Sequence, residues 1–111
     1  MFEGAIIKET LTDELLLDFL TIDKVEIWKT SEAIQYWTMI FFHSDAEDLP
    51  ERLSRTISEG WFADMKAGDI KYIIFRDKIL KYQIGNQDEK EQVLDYMRER
   101  GIPDEQFGWS E

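Results

Sequence analysis

Few side chains in this sequence can carry chemistry. It holds one histidine, His43, and no cysteine, which excludes disulfides, thiolate nucleophiles and Cys-based zinc or iron–sulfur sites. General acid–base work would fall to His43 or to a carboxylate whose surroundings raise its pKa. His43 stands beside Ser44, Asp45, Glu47 and Asp48, a set that suits a hard or borderline cation. The same residue types gather at helix starts for capping, and that reading takes precedence, so neither a metal nor a cofactor is expected. Gly60-Trp61-Phe62 with Asp64 is a second candidate. Two bulky rings after a glycine plug the edge of a core, or wall a pocket in which Asp64 is the polar group. The third candidate is the aromatic set itself: Trp28, Trp37, Trp61, Tyr36, Tyr72 and Tyr82 all fall in stretches that read as strands. The residues singled out for ligand binding are Trp61, Asp64, His43, Trp37, Tyr72 and Lys71. Dinucleotide-binding, P-loop, nucleophile-elbow, His-Glu-x-x-His and EF-hand spacings are absent, no catalytic residue stands out, and the reading leans away from an enzyme.

Charge narrows the partners. The chain has 24 acidic and 13 basic residues, a formal net charge of −11, which repels phosphate backbones and anionic lipid. Neither nucleic acid nor a membrane surface is expected as a partner. Residues 61–85 are the exception, with five bases against three acids. Lysines on solvent-facing strand positions discourage edge pairing; the alternative is a modest anion-attracting patch around Lys66, Lys71, Arg76, Lys78 and Lys81.

The elements that position these residues follow from periodicity. A chain of 111 residues that is 43% hydrophobic fits a single domain, 1–111, with a packed core. Residues 2–9 read as a strand with Ile6 and Ile7 on opposite faces. Thr12 as N-cap, with Asp13 and Glu14 in the first turn, predicts a helix carrying Leu15, Leu16, Leu17, Phe19 and Leu20 to about Thr21. Residues 24–29 are a second strand, Thr30-Ser31-Glu32 a turn, and residues 34–43 the longest strand. That strand is apolar on both faces and is expected in the middle of the sheet. Asp48 and Pro50 open a second helix that buries Leu49, Leu53 and Ile57 and stops at Gly60. Strands are expected over 61–66, 70–76 and 79–84, with turns at Ala67-Gly68-Asp69 and Asp77-Lys78. Asn86 and Glu89 start a last helix that buries Val93, Leu94 and Met97 and ends at Gly101-Ile102-Pro103. The closing residues bring Phe107 and Trp109 onto the body. The expected fold is α+β, in the order β-α-β-β-α-β-β-β-α. A mostly antiparallel sheet of five to six strands carries three helices packed mainly on one face.

Ile6 to Glu9, Gly60-Trp61-Phe62, the hairpin from Ile74 to Tyr82 and Gly101-Ile102-Pro103-Asp104-Glu105-Gln106 together resemble a family of small prokaryotic proteins of about this length. These motifs are structural punctuation, a helix stop, a hairpin turn and a C-cap. The resemblance implies no catalytic or binding residue. Members often carry Tyr where this chain has Phe62.

With the helices on one face, the strand aromatics on the other need a cover. The expected function is a non-enzymatic binding or interaction domain, homodimeric through an aromatic-rich sheet face. A small-molecule pocket lined by strand aromatics is the alternative, and an acidic decoy that mimics DNA the second alternative. The opening residues lack the basic start and long apolar run of a signal peptide, so the cytoplasm is the expected compartment.

Overall fold

A computed structural model describes residues 1–30 and 35–111. Six strands, β1 (Phe2–Ile7), β2 (Thr21–Lys29), β3 (Tyr36–Ser44), β4 (Phe62–Ala67), β5 (Ile70–Phe75) and β6 (Lys78–Gln83), alternate with helices α1 (Leu49–Thr56) and α2 (Gln87–Glu99). Single 3-10 segments occupy Lys8–Thr10, Glu14–Phe19 and Asp104–Gln106. Every strand pairing is antiparallel, and the sheet order is β2-β3-β1-β4-β5-β6. The fold is thus α+β with an open six-stranded antiparallel sheet.

Side chains alternate between faces along each strand, and the core splits the same way. Ile6, Ile40, Phe42, Ala63, Met65 and Ile74 point to one face, where Leu49, Leu53 and Ile57 of the α1 region and Leu16 bury them. Ile73, Phe75 and Tyr82 point to the other, beneath Val93 and Met97 of α2. The two α-helices therefore lie on opposite faces, not mainly on one as expected. Ile73 and Ile74, adjacent in β5, are both fully buried and require a cover on each side. On the α2 face, α2 and the closing residues Phe107 and Trp109 lie over Phe62 of β4, Ile73 and Phe75 of β5 and Leu80 and Tyr82 of β6.

Local chemistry explains where elements begin and end. The segment expected as a first α-helix is the 3-10 turn Glu14–Phe19, capped by Asp13, whose side chain accepts from the Leu15 N–H. Thr12 is not its cap; its hydroxyl donates to the Thr56 carbonyl at 2.7 Å. Only Leu16 of the apolar run is buried, and β2 begins at once at Thr21. Helix α1 ends at Thr56 and not at Gly60, because Ile57 turns extended and bridges Leu11. The β5–β6 turn is Arg76-Asp77, one residue earlier than the sequence suggests, with Asp77 at φ 59°, a conformation Asp tolerates. Helix α2 starts where expected, with Asn86 accepting from the Glu89 N–H at 3.1 Å, but the Glu89 side chain accepts from the Gln83 N–H at 2.8 Å instead of closing a box on Asn86. It ends in a Schellman pair, Ile102 N–H to Met97 at 3.1 Å and Gly101 N–H to Arg98 at 2.9 Å, with Gly101 at φ 81°.

The long strand β3 is interior, flanked by β2 and β1, but the middle of the sheet is the β1–β4 pair. Its expected start at Ile34, and Ser31 and Glu32 of the preceding turn, lie outside the described residues. Gly4 explains how β1 can take a middle position: a Cβ there would sit 2.6 Å from the Asp64 carbonyl oxygen and 2.8 Å from the Met65 Cβ. Among the described residues no helix is long and apolar enough to cross a membrane.

Candidate functional site

The densest polar constellation lies on the α2 face, where residues 107–111 cross β4, β5 and β6. Alternation places Phe62 and Asp64 of β4, Lys71, Ile73 and Phe75 of β5, and Leu80 and Tyr82 of β6 on this face. Lys71 occupies a row otherwise filled by core residues, and its side chain is only 3% exposed. A buried ammonium must be paired. Lys71 Nζ lies 2.7 Å from Asp64 Oδ1 and 2.7 Å from the Ser110 carbonyl oxygen. Tyr82, also buried, donates its hydroxyl to the Glu111 carboxylate and accepts from the Trp109 indole N–H at 2.9 Å. Lys66 Nζ reaches the Glu111 main-chain oxygen at 3.0 Å, and Lys90 of α2 its side chain at 3.3 Å. Trp109 packs edge-on against Phe62, with ring centroids 6.2 Å apart.

The electrostatics are those of a carboxylate clamp. Burial first, and then the hydrogen bond to Glu111, push the Tyr82 phenol well above its ordinary value of 10.0. The Tyr82 hydroxyl, against the opposing effect of burial, holds the Glu111 carboxyl below its ordinary 4.5, with Lys90 adding to it. The phenol is therefore a committed donor and the carboxylate a committed acceptor. A phenol held protonated is no general base, and no serine or histidine joins Tyr82 among these contacts. The arrangement binds a carboxylate.

The six residues singled out from the sequence do not form one site. Asp64 and Lys71 meet in this cluster. Trp61 and Trp37 meet elsewhere, edge to face with centroids 5.8 Å apart, both half-buried, and no acceptor for the Trp37 indole N–H lies among the described residues. Tyr72 packs against Phe2 at 5.5 Å and lines a shallow cleft between β6 and α2 with Leu80, Gln92 and Tyr96. His43 pairs with Asp23, the bulged residue of β2, at 2.9 Å; its neighbours Ser44 and Asp48 instead bond the Phe19 carbonyl and Arg52. Among the described residues no three His, Asp or Glu side chains are placed to hold a metal ion. The sequence pointed to Tyr82 only within the aromatic set and to Lys66 only within the alternative of an anion-attracting patch, and it gave no place in a site to Lys90, Ser110 or Glu111. The available signal was parity: Lys71 shares the period-two row of Ile73 and Phe75, so a charge there had to find a partner.

A second feature is apolar. Edge strand β2 leaves Ile22, Val25 and Ile27 exposed on the α1 face, joined by Tyr36 of β3 opposite Lys29. Trp28, on the other face, pairs across the strands with Trp37 and is also exposed. Leu15 and Phe19 are also exposed, on the 3-10 turn whose Leu16 enters the core of the α1 face, and the Phe19 ring lies under the Arg52 guanidinium at 3.9 Å. Comparison with known proteins adds no relative to these geometries: no family model, no curated protein and no solved structure matches the chain.

Proposed function

We propose that this protein is a non-enzymatic interaction domain that forms a homodimer through the β2–β3 hairpin. The observation that carries the reading is the character of β2. It is a nine-residue edge strand, longer than the usual five or six, and its outward row Ile22, Val25 and Ile27 is exposed. A long apolar edge is a template for another strand. The opposite edge, β6, is flanked by α2 and carries Lys78 and Lys81.

The charges of β2 favour a second copy of itself. Antiparallel pairing of two β2 strands centred on Val25 sets Lys24 of each copy opposite Glu26 of the other. Cross-strand opposite charges support such a pairing and like charges oppose it. The rings expected on a sheet face divide in this reading: Tyr36 joins the aliphatic row, and Trp28 lies on the other side of the hairpin.

Sedimentation velocity tests it at micromolar concentration. The wild-type chain is expected to sediment as a dimer, Lys24→Glu and Glu26→Lys each to weaken it, and the double exchange K24E/E26K to restore it. A wild-type monomer sinks the proposal, and a double exchange no better than either single variant sinks the register. The six scattered candidate residues do not favour the small-molecule reading.

A further inference from the structure

Strand β6 is the second edge of the sheet, and its main-chain groups are closed at one end only. The Ile84 N–H bonds the Asp69 carbonyl at 2.7 Å, which fixes the parity of the antiparallel β5–β6 ladder. Tyr82, Leu80 and Lys78 bond to β5, while Gln83, Lys81 and Ile79 direct their N–H and C=O groups outwards. At Gln83 the outward N–H is taken by the Glu89 carboxylate at 2.8 Å and the carbonyl by the Asn86 N–H at 3.0 Å. Among the described residues nothing does the same for Lys81 and Ile79, so four main-chain groups stand open in a row.

Helix α2 walls a groove beside them. It follows β6 through the turn Ile84-Gly85 and runs back along the strand. Glu89, Gln92 and Tyr96, spaced three and four residues apart, therefore form one row along β6. Glu89 meets Gln83 at one end, and at the other Lys78 Nζ lies 5.5 Å from the Tyr96 ring centroid. The cleft they line with Leu80 measures about 620 Å³, a size that takes ligands. The open stretch is also basic. Lys78 and Lys81 are exposed and have no carboxylate in ion-pair reach among the described residues, although the chain holds 24 acids against 13 bases. Arg100 adds a third cation, donating to the Tyr96 hydroxyl at 3.0 Å. Such charges oppose pairing with a second copy of β6 and favour an acidic strand.

We propose that the outer edge of β6, with its cleft against α2, takes up an acidic extended segment of another protein as an added antiparallel strand. Lys81 and Ile79 each exchange two main-chain hydrogen bonds with the residue opposite. Residues opposite each other share a face of the sheet, which sets the pattern recognised. The residue facing Lys81 is acidic, and the one facing Leu80 is apolar with its side chain in the cleft. The one facing Ile79 is apolar on the α1 face, and the one facing Lys78 is acidic and near Arg100. The homodimer reading uses the opposite edge, so either can fail without the other.

The test uses the full chain and a labelled peptide, acetyl-Thr-Glu-Val-Val-Glu-Thr-amide, followed by fluorescence anisotropy. Saturable binding is expected. The variant K78E/K81E should bind at least about tenfold more weakly and should prefer the peptide with both glutamates replaced by lysine. N-methylation separates strand addition from simple charge attraction. At the second valine, facing Ile79, it removes a hydrogen bond to β6 and should abolish binding. At the first valine, facing Leu80, the N–H points away from β6 and binding should persist. No saturation by about 1 mM peptide overturns the proposal, as does equal binding of the two N-methylated peptides to the wild-type chain, a comparison that needs no variant to fold. A folded K78E/K81E that binds like wild type places the peptide elsewhere and also overturns it. So does a K78E/K81E chain that loses self-association, which would make β6 a contact between copies.

Discussion

Tyr82 and Glu111 make the most specific contact in the molecule, and its pH dependence has a definite sign. The Glu111 carboxyl is held below 4.5 in the folded chain, so its stabilisation is complete above pH 4.5 and is lost as pH falls through the lowered value. The Tyr82 phenol is raised above 10.0, so its contribution is complete below pH 10 and is lost as the unfolded chain ionises above it. Urea midpoints measured across pH should therefore fall on both flanks. Tyr82→Phe is expected to cost about 1–2 kcal/mol at neutral pH and to flatten the alkaline fall relative to wild type. Glu9 is a second clamp, accepting from the Thr38 N–H at 2.7 Å and the Thr38 hydroxyl at 2.6 Å. Burial opposes its ionisation, but the two Thr38 bonds together outweigh it and leave the carboxyl lowered. Glu9→Ala should lose about 1 kcal/mol by chemical denaturation at pH 7, and much less below pH 4. Neither clamp was legible from spacing, because Glu111 lies 29 residues from Tyr82 and Glu9 29 from Thr38.

The elements were readable in proportion to how much of their stability is local. Helix α2 announced itself through Asn86, Glu89 and Gly101, because caps and a Schellman stop are short-range hydrogen bonds written in adjacent residues. The 3-10 turn Glu14–Phe19 was not readable as such. Its run of leucines promised an α-helix, but Leu15 and Phe19 remain exposed, and only Leu16 is fully buried while Leu17 and Leu20 pack partly against the core. Strand β1 shows the opposite dependence. Its Gly4 looks unremarkable in sequence, yet the backbone of β4 passes so close that no side chain fits. Gly4→Ala is expected to destabilise by about 1–3 kcal/mol through overpacking against main chain, read as a lowered melting temperature. A variant as stable as wild type would mean that β1 and β4 can spread without loss.

The whole molecule has one edge flanked by a helix and one bare edge, and its behaviour in solution should follow from that asymmetry. Val25→Lys places a charge on the exposed row of β2, where Val25 is 51% accessible. It should shift sedimentation towards monomer while changing the stability of the isolated subunit by no more than about 0.5 kcal/mol. A large loss of fold stability would show that Val25 belongs to the subunit's own core. By itself the sequence determined the α+β class, a sheet of five to six mostly antiparallel strands, the limits of α2 and the absence of thiol chemistry, because composition, alternation and capping are properties of neighbouring residues. It also put Asp64 and Lys71 among the residues to watch. Only the tertiary structure decided that α1 and α2 take opposite faces, that β1 and β4 form the middle of the sheet, and that residues 109–111 deliver a main-chain carbonyl to Lys71 and a carboxylate to Tyr82. Each of those depends on which distant rows share a face, and a period of two fixes the alternation of a strand without fixing what lies above it.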